Sequence, residues 1–100
     1  MKHKVELDSI YRPSEDIVAR EVQGEFIIIP IASGVGDSED EIFSLDETGR
    51  AIWDKLDGKR TLQDVIKELS SEFESLPLEI KEDVEGLVGE LLKRRMVVVA

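Results

Sequence analysis

Few residue types in this chain could do covalent or metal chemistry, and their spacing keeps them apart. There is one histidine, His3, and no cysteine. A lone imidazole near the terminus builds neither a His-based catalytic pair nor a His-rich metal site. Without cysteine there is no thiolate site and no disulfide. A serine nucleophile needs an activating base, and no histidine lies within the part of the chain that must form a core. The stretch Ser33-Gly34-Val35-Gly36 loosely resembles a phosphate loop. It falls between predicted strands, not before a helix, and runs into Asp37, Glu39, Asp40 and Glu41, a poor place for a phosphate. The spacing of those acids is not that of a calcium loop. The residues therefore predict no enzyme, no cofactor and no metal. What remains is non-covalent chemistry: backbone groups at strand edges and fields of charge.

The chain that must carry this chemistry has 100 residues, enough for one small domain. Its 41% hydrophobic content is too high for a disordered segment and predicts a real core. With 13 Lys+Arg against 23 Asp+Glu, the formal net charge is -10, which argues against nucleic acid, since neutralising phosphates needs basic residues. No apolar run approaches the length that spans a bilayer. Residues 1–6 are basic but lack the apolar stretch of a signal peptide. These features predict a soluble, cytoplasmic protein with no membrane partner.

Periodicity places the elements. Residues 1–16 have mixed charge and weak periodicity, and Tyr11-Arg12-Pro13-Ser14 looks like a turn, so an irregular N-terminal arm is expected there. Residues 17–100 would form the domain. Ile17 to Val22 and Glu25 to Ile31 are β-prone and flank Gln23-Gly24, a hairpin signal. Ala32 to Asp40 is turn-rich and predicts a loop. Glu41 to Leu45 predicts a third strand. Asp46 is a good helix N-cap, with Ile52, Trp53 and Leu56 at helical spacing before Asp57-Gly58. Thr61 with Asp64 suggests a capping box for a second helix striped by Leu62, Val65, Ile66, Leu69 and Phe73. A third helix is predicted from about Glu79 to Arg95, with Lys93, Arg94 and Arg95 complementing its dipole. Met96 to Ala100 suggests a short closing strand. The expected fold is α+β and winged helix-turn-helix-like: a three-stranded N-terminal antiparallel sheet followed by three helices.

Such a fold invites a DNA-binding reading, but fold alone does not establish function. The outward face of the third helix carries Glu82, Gly86, Gly89, Glu90 and Lys93, and acids and glycines make a bad groove reader. Gly86 and Gly89 each cost about 1 kcal/mol relative to Ala inside a helix. They fit either a tolerant solvent face or the close approach of another chain. The run Phe26 to Ile31 is apolar on both faces of its strand. Three helices cover one face, so the other needs the arm, the C-terminal valines, a second subunit or another protein. If Glu41 to Leu45 is the sheet edge, its free N–H and C=O groups can accept an incoming strand. Charge at Glu41 and before it could instead blunt that edge.

The run Phe43-Ser44-Leu45-Asp46-Glu47-Thr48-Gly49-Arg50-Ala51-Ile52-Trp53 resembles the strand-to-helix junction of the PqqD-like proteins. Asp57-Gly58-Lys59-Arg60-Thr61 resembles their turn between the first two helices, and Asp83-Val84 with Leu87, Leu91 and Leu92 resembles their last helix. The resemblance spans roughly Ile17 to Val99. It implies a non-enzymatic recognition element that binds the leader of a ribosomally made precursor peptide. The leader would add as a strand to the sheet edge and be presented to a modifying enzyme of the radical S-adenosylmethionine type, as in pyrroloquinoline quinone biosynthesis. Carried over by position, the receiving strand is Glu41, Ile42, Phe43, Ser44 and Leu45, and the helix side of the groove is Asp83, Leu87, Glu90 and Arg94. Phe43, Leu45 and Trp53 would mainly anchor the strand in the core. The alternatives are a winged-helix transcriptional regulator and a homodimeric protein-interaction domain. The acids from Asp37 to Glu47 would place a negative field about the receiving strand, favouring a leader with basic residues.

Overall fold

The computed structural model describes residues 5–31, 42–74 and 76–100. The elements run β1 (Tyr11–Pro13), β2 (Ile17–Val22), β3 (Glu25–Pro30), β4 (Phe43–Leu45), α1 (Glu47–Lys55), α2 (Leu62–Phe73), α3 (Pro77–Lys93) and β5 (Val97–Val99). The fold is α+β, with three helices and two antiparallel sheets among the described residues: β2-β3-β4 and a separate pair, β1-β5. The expected loop over Ala32 to Asp40 lies outside the described residues, as does Glu41.

Local chemistry accounts for the main sheet. Gln23 and Gly24 both have positive φ, 52° and 84°. That is the primed turn whose twist matches right-twisted strands, and glycine at its second position relieves the steric cost. The hairpin pairs Val22 with Glu25 and Ile17 with Pro30. On β3's other side, Phe26, Ile27 and Ile28 face Leu45, Ser44 and Phe43. In an antiparallel ladder, alternate residues turn their backbone groups to opposite neighbours. A two-residue turn closes on a hydrogen-bonded pair, here Val22–Glu25, and the Ile31 N–H still donates to Asp16 O at 2.9 Å with the same parity. Glu25, Ile27 and Ile29 therefore bond toward β2, while Phe26 and Ile28 bond toward β4. It follows that Phe43 and Leu45 spend their backbone groups on β3. Ser44 points its N–H and C=O away from the sheet. Pro30 sits where its missing donor costs β2 nothing.

The same alternation sorts the side chains. Ile28 and Leu45 are buried, and Ile17, Ala19, Phe26 and Phe43 pack against the core beside them. The other face carries Val18 and Val22, both exposed, with Ile27 and Ile29 half-buried. Among the described residues, the arm's Tyr11–Pro13 and the C-terminal valines pair with each other as β1 and β5, not with the main sheet.

The N-terminal residues are the main correction to the sequence reading. Tyr11–Pro13 is a strand, not a turn in an irregular arm. Its neighbours complete the start of α2. The first helical N–H groups have no partner inside their own helix. Here the Leu62 N–H donates to Ser9 O (3.1 Å) and the Gln63 N–H to Leu7 O (2.8 Å). The Asp64 N–H donates to Thr61 Oγ1 (3.1 Å), completing the capping box that the sequence predicted. The buried Tyr11 hydroxyl accepts from the Glu6 N–H (3.1 Å).

The helices follow their stripes, with local departures. Asp46 caps α1 by accepting from the Gly49 N–H at 2.7 Å. A Cβ on Gly49 would lie 3.2 Å from both Asp46 Oδ1 and Leu45 Cδ2, so this turn is built tight against β4. Lys55 ties α1 to α2 through Glu72 (2.9 Å) and Glu68 (3.1 Å), and its pKa is raised chiefly by the hydrogen bond to Glu72. Phe73, expected in the α2 stripe, is exposed at the helix end. α3 starts earlier than expected, with Pro77 in its first turn, where a missing N–H is harmless. It also ends earlier. Arg95 lies beyond it at φ 61°, its N–H donating to Leu92 O, while the Met96 N–H donates to Leu91 O. These two bonds make a Schellman motif, and buried Leu91 and Met96 supply its apolar contact. The close approach considered for Gly89 comes from the chain itself: a Cβ there would lie 3.5 Å from Val5, whereas at Gly86 it would meet open space.

Two substitutions should raise stability through the backbone alone. Gly86→Ala should gain about 0.5–1 kcal/mol from helix propensity. Arg95→Gly should gain about 1 kcal/mol by relieving the left-handed conformation. Urea unfolding should show both as higher midpoints at an unchanged slope.

Candidate functional site

The Gln23-Gly24 turn places Phe26 opposite Leu45, and the Asp46 cap starts α1 immediately after β4. α3 then crosses beside this junction. Together they enclose a groove of about 870 Å³, open to solvent. Phe43, Ser44 and Leu45 line it from the sheet, residues 46–50 and Ile52 from α1, Asp83 and Leu87 from α3, and residues 24–26 from the hairpin.

Spacing explains the α3 contribution. Asp83, Leu87, Glu90 and Arg94 recur every three or four residues and so share one flank of the helix. The buried Val84, Val88 and Leu91 lie on the adjoining stripe. Leu87 is half-buried at the border, apolar enough for the core yet open to the groove. Asp83 is exposed and has no ion-pair partner among the described residues.

Two arginines pin aromatic rings to this region. The Arg94 guanidinium lies over the Phe43 ring, 5.1 Å from its centroid, and its Nε donates to Glu90 Oε2 at 2.7 Å. Arg50 lies over Phe26 at 4.8 Å and bonds Glu21 Oε1 at 2.7 Å. A planar cation stacked on a ring and held by a carboxylate is oriented twice. The contact of Arg94 with Phe43 brings the end of α3 to β4, while Asp83, eleven residues earlier on the same helix, lines the groove with Leu45.

The chemistry available here is recognition. The site offers a backbone donor and acceptor on Ser44, an apolar lining of Phe26, Leu45, Ile52 and Leu87, and acids at one end. No group of His, Cys, Asp or Glu among the described residues is arranged to hold a metal ion.

The family described as coenzyme PQQ synthesis protein D (PqqD) matches residues 25–97. The chain belongs to the PqqD family. Curated proteins give no match. Among solved structures, "TbiB1 in Complex with the TbiA(beta) Leader Peptide" shares the fold at a TM-score of 0.70 and 15% identity, covering 86% of this chain and 93% of that one.

Within this PqqD-family domain, the structure brings Phe43, Ser44, Leu45, Asp83 and Leu87 into one groove. Glu90 and Arg94 do not line it; they pair with each other and hold Phe43 from the far end. Ile42 lies just before β4 and is 55% exposed. Glu41 is outside the described residues. The sequence reading missed Phe26, Arg50 and Ile52 as lining residues. Phe26 was assigned only to a strand face, and Arg50 follows the Asp46 cap by one helical turn, a spacing that places it back over the sheet.

Arg94→Met should cost about 1 kcal/mol or more, since it loses at least an i,i+4 ion pair and a ring contact. Arg94→Lys should recover only part of it, because an ammonium lacks the stacking plane. Thermal unfolding of the two variants checks this.

Proposed function

We propose that this protein is a leader-peptide recognition module. A precursor peptide's leader adds as a fourth strand to β4, fills the groove against α3, and is handed to a modifying enzyme of the radical S-adenosylmethionine type. The observation that carries the reading is the open edge of β4: Ser44 directs its N–H and C=O into a groove whose opposite wall is α3. Backbone pairing gives general affinity, and side-chain contacts with the groove give choice. Membership of the PqqD family supports the reading. So does the TbiB1 fold, which binds a leader peptide in its own complex. The enzyme partner follows from the family resemblance. The protein itself works by binding, without catalysis, in the cytoplasm where ribosomal peptides are made. On this reading the three-stranded sheet and three helices form a winged-helix-like module used for a peptide.

The test is Ser44→Pro. It removes the outward N–H while leaving the bonds of Phe43 and Leu45 to β3 intact. Leader affinity, measured by calorimetry with precursor peptides encoded beside this chain's gene, should fall roughly five- to tenfold, the loss of one backbone hydrogen bond. Ser44→Ala should bind normally. Equal affinity for both variants, with the fold unchanged by circular dichroism, would count against strand addition.

A homodimer is the second reading, favoured by the exposed valines Val18 and Val22 on the sheet's outer face. Light scattering over a range of concentrations should then show mass rising toward twice the monomer. A monomer throughout removes it.

A further inference from the structure

The groove is electrically lopsided, and we infer that its occupant carries an apolar residue opposite Phe43 and a lysine or arginine two to four residues away, toward Asp83. This rests on the leader-binding reading and adds which leader fits.

Strand pairing sets the register. A residue added opposite Ser44 exchanges backbone bonds with it and turns its side chain to the outer face. The residues opposite Phe43 and Leu45 turn their side chains inward, toward α3. The first of these meets the Phe43 ring, which the Arg94–Glu90 pair holds from outside the groove. That end is already neutralised: the guanidinium is held by Glu90 and stacked on the ring, and the Arg94 side chain is only 18% exposed. A charged residue of either sign gains little there, and an aliphatic or aromatic one gains the ring and Leu87.

The other end differs. Asp83 lies eleven residues before Arg94, about 16 Å along the helix axis. It shares the groove with Asp46 and Glu47 at the start of α1. Asp46 and Glu47 serve the α1 cap and dipole, but both remain exposed. Asp83 lies well inside α3, past its first turn, where the dipole gives it no support. The cation that lines the groove, Arg50, is bound to Glu21. An acidic side chain in the occupant would meet three carboxylates, whereas a long basic side chain can lay its methylenes on Leu87 and reach Asp83 with its head.

The test is a display selection of random twelve-residue peptides against three proteins: the native chain, Asp83→Lys, and Asp8→Lys. Asp8 is exposed on the N-terminal segment, away from the groove, so the two variants carry the same net charge. The native chain and Asp8→Lys should enrich an apolar residue with Lys or Arg two to four positions away. Asp83→Lys should lose the basic preference and bind the selected peptides roughly three- to tenfold more weakly at low salt, the difference shrinking as salt is added. Enriched peptides without a basic residue, or the same peptides selected by Asp83→Lys, would overturn this inference and leave leader binding standing. No enrichment by the native chain would overturn both.

Discussion

The two-residue turn at Gln23-Gly24 decides more than the hairpin it closes. Because it ends on the pair Val22–Glu25, it sets which residues of β3 bond to β2 and which to β4. That parity buries Ile28, aims Phe26 and Phe43 at the helices, and leaves Ser44 with its backbone groups unspent. A slip of one residue would reverse every assignment. Ile27 and Ile29 would turn inward, and Phe43 and Leu45 would face solvent. The core thus enforces the edge: the apolar contacts of Ile28 and Leu45 are what keep the donor and acceptor of Ser44 free.

Most of this was legible in the sequence wherever the signal is short-ranged. The turn, the Asp46 cap and the Thr61–Asp64 box each depend on neighbours within four residues, and each formed as expected. β1 was not legible. Tyr11-Arg12-Pro13 has the composition of a turn, and its strand character comes from Val97, Val98 and Val99 at the other end of the chain. The Schellman motif was missed for a related reason. It has Arg95 where glycine is usual, so the residue types alone do not mark the end of the helix. For the groove, the carry-over by position includes Phe43, Ser44, Leu45, Asp83 and Leu87, which line it, and Glu90 and Arg94, which do not; it omits Phe26 and Arg50, whose places depend on how the hairpin folds back over α1.

The N-terminal segment braces the helices behind the groove. Leu7 and Ser9 accept from the first turn of α2, Tyr11 O accepts from the Gly58 N–H, and Ala100 closes on Ile10 O. Ile10, Tyr11 and Ala100 are thereby held beside the turn that joins α1 to α2. The wall of the groove formed by α3 is held at one end by the Schellman turn into β5 and at the other by its packing on α2. The site therefore sits between rigid elements, with its exposed acids at the rim rather than in the core.

The brevity of β4 has a kinetic meaning. A strand of three residues presents one outward residue, Ser44, and so offers an incoming chain little of the ladder that makes sheets permanent. Residence time must then be set by a handful of side-chain contacts, and these can be broken one at a time. If the proposed function holds, such a module lets go easily, which suits hand-over better than storage.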